Sequence, residues 1–151
     1  MYVLIRPATP ADVRSIYQFI CNLEEQSFDF EAFKDLFVQN LHHPNCHYLV
    51  ADCQQQTVGY AAMHAQILLH HCGKVGEIQE MYVLPTHRNL GIGQQLLAEL
   101  VAIATREQYV LLEVTANQKR LDTHRFYQKN GFSPTHLKFV KELWLGYFPF
   151  R

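Results

Sequence analysis

The residues best placed to do chemistry sit in one stretch. Glu77-Ile-Gln-Glu80-Met-Tyr-Val-Leu-Pro85 runs into a polar turn that closes with Arg88-x-x-Gly91-x-Gly93. Ile78, Met81, Tyr82, Val83 and Leu84 read as a strand stopped by Pro85, and Ile92, Leu96, Leu97, Leu100, Val101 and Ala104 follow at helical spacing. Strand, glycine turn and helix N-terminus gather backbone N–H groups at the positive end of a helix dipole. Such a cradle binds a phosphate or pyrophosphate; the plainer alternative is a tight strand-to-helix turn. A glycine motif alone does not say which phosphorylated ligand it holds. Nine histidines are many for this length and leave room for pH dependence or a metal, yet the spacing of His64, His70 and His71 does not by itself build a metal site. Cys21, Cys46, Cys53 and Cys72 show no C-x-x-C spacing and read as reduced thiols.

Other elements must hold that stretch in place. At 151 residues the chain fits one domain, residues 1–151, with room for a core. A composition of 48% hydrophobic and 18% charged residues is that of a soluble globular protein. A formal net charge of −1 gives no case for bulk electrostatic binding to nucleic acid or membrane. No apolar run approaches the roughly 18 residues of a spanning helix. Met1 to Arg6 lacks a signal-peptide layout, so a cytoplasmic protein is expected.

Tyr2 to Arg6 is β-prone and ends at Pro7. Thr9 as N-cap and Pro10 at the first position start a helix that Val13, Ile16, Tyr17 and Ile20 carry to about Glu25. Phe30, Phe33, Phe37 and Leu41 mark a second helix. The aromatic loop between them either borders a ligand or packs beneath the helices. His47 to Asp52, Val58 to Leu69 and the strand before Pro85 form an antiparallel meander, joined by a polar turn and by a second turn over residues 70–76. Gly59 marks a bulge or a close approach. After a helix from 91 to about 107, Tyr109 to Thr115 is a strand and Asp122 to Asn130 a short helix capped by Gly131. Leu137 to Leu145 is a last β-prone run. This order predicts an α+β or mixed α/β fold with one central sheet. The apolar tail from Trp144 onward is expected to pack on the core or to make a subunit contact.

Read together, Arg88-x-x-Gly91-x-Gly93, the later Asn117 and His124-Arg-Phe-Tyr127-Gln-Lys-Asn-Gly131-Phe132 resemble the GCN5-related N-acetyltransferase superfamily. The resemblance spans nearly the whole chain, from Ile5-Arg-Pro-Ala-Thr9 onward. Four segments (Leu41 to Asn45, Met63 to His71, Gly76 to Pro85 and Lys119 to Tyr127) look like the aminoalkylphosphonate N-acetyltransferases of that superfamily. Many members carry glycine where this chain has Asn89. Asparagine tolerates left-handed backbone angles, so the turn is expected to survive.

This resemblance implies a GNAT fold, a single mixed, mostly antiparallel sheet flanked by helices. It also implies acetyl transfer from acetyl-CoA to the primary amine of a small molecule. Arg88, Asn89, Leu90, Gly91, Ile92 and Gly93 would hold the pyrophosphate of coenzyme A. Met81, Tyr82 and Val83 would run beside its pantetheine arm, helped by Asn117, with a strand N–H polarising the thioester carbonyl. Glu80 matches the family base, against an ordinary salt bridge or cross-strand pair. Glu77, three residues earlier, projects to the opposite face of a regular strand. Tyr127 matches the tyrosine that protonates the departing thiolate, against a core aromatic beside Phe126. Arg120 and Arg125, with Lys119 and His124 nearby, are candidates for a phosphonate. His64, His70 and His71 would help hold the substrate or a divalent metal, which the subfamily suggests. Superfamily habit and the aromatic tail both suggest a homodimer. Two alternatives stay open: an acetyltransferase for another amine (polyamine, amino acid, antibiotic or protein), and a non-catalytic acyl-CoA-binding module.

Overall fold

The computed structural model describes residues 1–143. Its elements are β1 (Val3–Pro7), α1 (Val13–Glu24), α2 (Phe30–Leu41), β2 (Cys46–Cys53), β3 (Gln56–Leu68), β4 (Gly73–Val83), α3 (Ile92–Arg106), β5 (Leu111–Val114) and α4 (Leu121–Lys129). The strands lie in sequence order in one sheet. The first four are antiparallel neighbours, and β5 joins β4 in parallel after the α3 crossover. The mixed, mostly antiparallel sheet flanked by helices is therefore as expected.

Alternating side chains sort onto the two faces of the sheet. Val50, Tyr60, Ala62 and Tyr82 pack against Ile16, Phe19 and Ile20 of α1 and Phe37 of α2. Leu49, Ala61, Met63 and Ile78 pack against Ile92, Leu96 and Leu100 of α3 on the other face. Each valine, leucine, isoleucine, phenylalanine or methionine among them contributes about 1.5–3 kcal/mol by leaving water. Close approach is needed at Gly59, where an added Cβ would lie 3.3 Å from Leu96 and from Ala51, so α3 sits directly on the sheet. The ladder is also irregular there, between Ala51 and Asp52 of β2, so both expectations for that glycine are met.

One expectation gains detail and two need correction. Thr9 is the N-cap and Pro10 the first position, as expected, in a capping box whose Thr9 backbone N–H donates to Asp12 Oδ2 at 2.8 Å; the opening turn, Pro10–Asp12, is 3-10 before α1 begins. Asp12 is buried, and two guanidinium contacts from Arg6 at 2.9 Å neutralise it. The turn placed over 70–76 is shorter: Leu69–His71 is a 3-10 turn, and β4 resumes at Gly73 because Gly76 lets Leu112, Met63 and Tyr109 close over it. Residues 137–143 form no strand; Leu137, Phe139, Val140 and Leu143 are exposed, and β propensity alone does not order a run without a pleated neighbour. The rest of that run and the apolar tail fall outside the described residues. Among the described residues no helix is long and apolar enough to cross a membrane.

Candidate active site

The site is built around an interruption in β4. Met63 pairs with Ile78 but Ala62 pairs with Glu80, so Gln79 is an extra residue, a β-bulge. The β5 ladder ends at the same place, at Ile78 with Val114. Beyond it β4 runs on to Val83 with β3 on one side and no sheet partner on the other. Alternate backbone N–H and C=O groups of residues 79–83 thus face an open cleft. Arg88 Nε closes its far end by donating to Val83 O at 2.9 Å, and its guanidinium lies 5.3 Å from the Tyr82 ring.

The bulge also corrects the reading of Glu77. One extra residue resets the alternation, so Glu77, opposite His64, shares a face with Glu80, opposite Ala62. Glu80 is half-buried and lines a cavity of about 420 Å³ walled by Ile20, Phe28 and Phe33, with Glu24, Gln26 and Gln79. Burial first, and the charge of Glu24 second, push its carboxyl up to about 7. A carboxylate with that midpoint can take a proton near neutral pH. The aromatic loop does border this space, through Phe28. Glu24, Gln26 and Gln79 were missed in the sequence, where nothing local distinguishes them from solvated side chains.

The turn expected to cradle a phosphate takes left-handed backbone angles at two residues. Asn89 has φ +62° and Gly91 φ +81°, after which α3 begins at Ile92. The first-turn N–H groups of α3 have no intrahelical acceptor and point into the turn. Leu90 is exposed and Ile92 is buried beneath the cradle.

Two sequence motifs far apart in the chain meet here. An added Cβ at Gly93 would lie 3.6 Å from Phe126, and Gln94 donates to Asn130 Oδ1 at 2.5 Å. Gly131, at φ +88°, ends α4, and Phe132 N–H returns to Tyr127 O at 3.0 Å while its ring packs 5.3 Å from that of Tyr127. Tyr127 is thereby fixed in the cluster that contains Ile78 and Met81, on the α3 face of β4. Burial raises its hydroxyl to about 12, so it stays a proton donor. Glu80 and Tyr127 approach β4 from opposite faces, with the open edge between them.

The remaining predicted residues are spread more widely. Asn117 is exposed; its Oδ1 accepts Lys119 N–H and its carbonyl lies 2.8 Å from His124 Nε2. Arg120 Nη2 donates to Leu23 O at 2.5 Å, tying the start of α4 to the end of α1. Arg125 is exposed and paired with Asp122. His64 Nε2 lies 2.7 Å from Tyr48 Oη, and burial holds its ring below the usual imidazole range. His70 and His71 sit in the turn after β3, and His71 lies 3.8 Å from Glu113. None of these histidines lines the cavity. Among the described residues no three His, Cys, Asp or Glu side chains gather as metal ligands, so they do not build a divalent site by themselves.

Comparisons with known proteins agree with this geometry. Residues 44–134 match the model of the acetyltransferase (GNAT) domain. The aminoalkylphosphonate N-acetyltransferase of Salmonella typhimurium is 42% identical over 139 residues, covering 92% of this chain and 90% of that protein. Among solved structures, a transcriptional regulator from Bacillus halodurans superposes with TM-score 0.86 at 21% identity, covering 94% of this chain and all of that one. An aminoglycoside N-acetyltransferase AAC(6')-Iy in complex with CoA does so with TM-score 0.84 at 16% identity, covering 94% and 95%. At those identities the structures speak to the fold, while the domain match and the Salmonella relative speak to the reaction. The chain belongs to the GNAT acetyltransferase family and is an N-acetyltransferase.

Proposed function

We propose that this enzyme moves the acetyl group of acetyl-CoA to the primary amine of a small aminoalkylphosphonate. The observation that carries the chemistry is Glu80, a half-buried carboxylate lining a cavity at the point where β4 loses its partner strand. The acceptor's nature is supported by the name of the Salmonella relative and by four-fifths or more of both chains aligning.

A primary alkylamine resembles lysine, with a pKa of roughly 10, and arrives protonated. Glu80, with its midpoint near 7, takes that proton and so frees the nitrogen lone pair, which then attacks the thioester carbon. A β4 backbone N–H at the open edge stabilises the developing oxyanion. The C–S bond then breaks, the Tyr127 hydroxyl protonates the leaving sulfur, and the second proton of the attacking nitrogen restores the phenol, while Glu80 returns its proton to solvent. Residues 88–93 hold the pyrophosphate of coenzyme A on the first turn of α3. Arg120, at the start of α4, does not line the cavity but is held beside it at Leu23, next to the cavity-lining Glu24, and from there meets the acceptor's phosphonate. His64, His71, His124 and Arg125 do not line the cavity, and no role in the step is assigned to them.

Thiol release from acetyl-CoA, followed with aminomethylphosphonate and 2-aminoethylphosphonate with and without a divalent cation, tests this reading. Turnover of either, at a kcat/KM well above that for polyamines, amino acids and aminoglycosides, is the expected result. Silence with both phosphonates while another amine reacts would sink the acceptor assignment and leave the family assignment intact.

A further inference from the structure

His124 stands among the phosphonate candidates in the sequence, yet the structure turns it toward its own chain. It sits in the first turn of α4, and its Nε2 lies 2.8 Å from the carbonyl oxygen of Asn117. A carbonyl only accepts, so Nε2 carries the ring proton and donates it. The same carbonyl takes the Arg120 N–H at 3.0 Å, which fills both of its lone pairs. His124 also gives its backbone N–H to Arg120 O at 3.1 Å. One residue of α4 therefore grips the turn 117–120 at both ends.

That grip decides what Asn117 offers. Its side-chain Oδ1 accepts the Lys119 N–H at 2.9 Å. The oxygen must face that donor, so the amide NH2 is directed away from it. Among the described residues nothing accepts from that NH2, and Asn117 has two N–H donors to spare. The turn follows β5 where β5 leaves β4, at Val114 and Ile78, and Arg120 carries it across to Leu23 of α1. It runs along the side of the cleft that β5 gives up, facing the unpaired edge of β4. On that edge Leu84 donates its N–H to Val58 O of β3 at 2.8 Å, so the N–H and C=O of Val83 point the other way, into the cleft. An extended chain of amides laid against β4 pairs with it on one side and has carbonyls on its far side that need donors.

We infer that His124 is a positioning residue for the donor substrate, holding the 117–120 turn against α4 so that the Asn117 amide donates to an amide carbonyl of the pantetheine arm. This rests on the acetyl-transfer reading and moves His124 from the acceptor's phosphonate to the cofactor. It touches neither substrate and acts through Asn117. What the position uses is one N–H donor at a fixed reach, not a charge.

The test is calorimetric binding, to the full chain, of coenzyme A and of 3′-phospho-ADP, which keeps the pyrophosphate and lacks the pantetheine arm. For His124→Ala, Kd for coenzyme A rises about tenfold, the loss of one well-placed hydrogen bond, while Kd for 3′-phospho-ADP holds within about twofold. His124→Gln, whose amide nitrogen takes the place of Nε2 and donates, recovers most of the loss. Asn117→Ala costs about as much, and adding His124→Ala to it costs no more than about a further twofold, because one residue acts through the other. KM for the amine at saturating acetyl-CoA holds within about twofold, since Arg120 keeps its tie to Leu23. An unchanged Kd for coenzyme A in His124→Ala overturns the inference. Equal losses for both ligands, losses that add in the double variant, or no recovery in His124→Gln overturn it too, since each marks a general structural role. A rise confined to the amine's KM returns His124 to the acceptor and overturns it as well. Wild-type enzyme that binds no coenzyme A defeats the acetyl-transfer reading; wild-type binding with an indifferent His124→Ala defeats only this inference.

Discussion

Glu80 is a poor choice for stability and a good one for rate. Its folded-state midpoint near 7 lies above the 4.5 of an ordinary glutamate. The native state therefore binds this proton more tightly than the unfolded chain does. Stability falls as pH rises between those two values and the full cost is carried above pH 7, on the order of 3 kcal/mol. Glu80→Gln removes that cost along with the proposed base. We expect its melting temperature at pH 8 to exceed the wild-type value and the two to converge near pH 5, measured by calorimetry. Thiol release should fall by about 10²-fold or more and lose its acidic limb. The identity of Glu80 and Tyr127 could be read from the chain through the motifs around them. Their environments could not, because desolvation comes from Ile20, Phe28 and Phe33, residues brought in by the fold.

At the scale of elements, the turn between β4 and α3 succeeds without the glycine many relatives use. Asn89 holds φ +62° there, a region that asparagine enters at little cost and a β-branched residue does not. Asn89→Gly should leave KM for acetyl-CoA within about twofold, whereas Asn89→Val should raise it about tenfold, since roughly 1–2 kcal/mol of strain distorts the cradle. Equal effects of the two changes would show that the cradle does not depend on this torsion. Strong periodicity made α1, α2, α3 and the meander legible, and Gly131 announced the end of α4. The strand parity at Glu77 misled because alternation assumes a regular ladder, and the residue breaking it, Gln79, has no signature of its own. Exposed Leu137, Phe139 and Val140 misled because propensity describes what fits a sheet without supplying the neighbour.

For the molecule as a whole, the sheet is complete at one end of β4 and split at the other. The split receives Glu80 from the α1 and α2 side, Tyr127 from the α3 side and the helix N-terminus from below. Arg120 spans the opening by joining α4 to α1, so the two flanking layers are tied together at the mouth of the cleft. The fold class followed from element order because helices and strands were separately legible. The opening did not, since it depends on where β5 stops pairing. Gln79 gives this opening a genetic consequence. Because Ile78 already faces Met63 and Glu80 already faces Ala62, loss of the single codon for Gln79 would leave every flanking side chain on its present face. The shortened protein should fold, melt at or above the wild-type temperature and release thiol far more slowly, which melting curves and the turnover assay would read directly. A regular sheet has no use for that residue, and the open edge does: at this one position an enzyme and a well-made sheet want different lengths of chain.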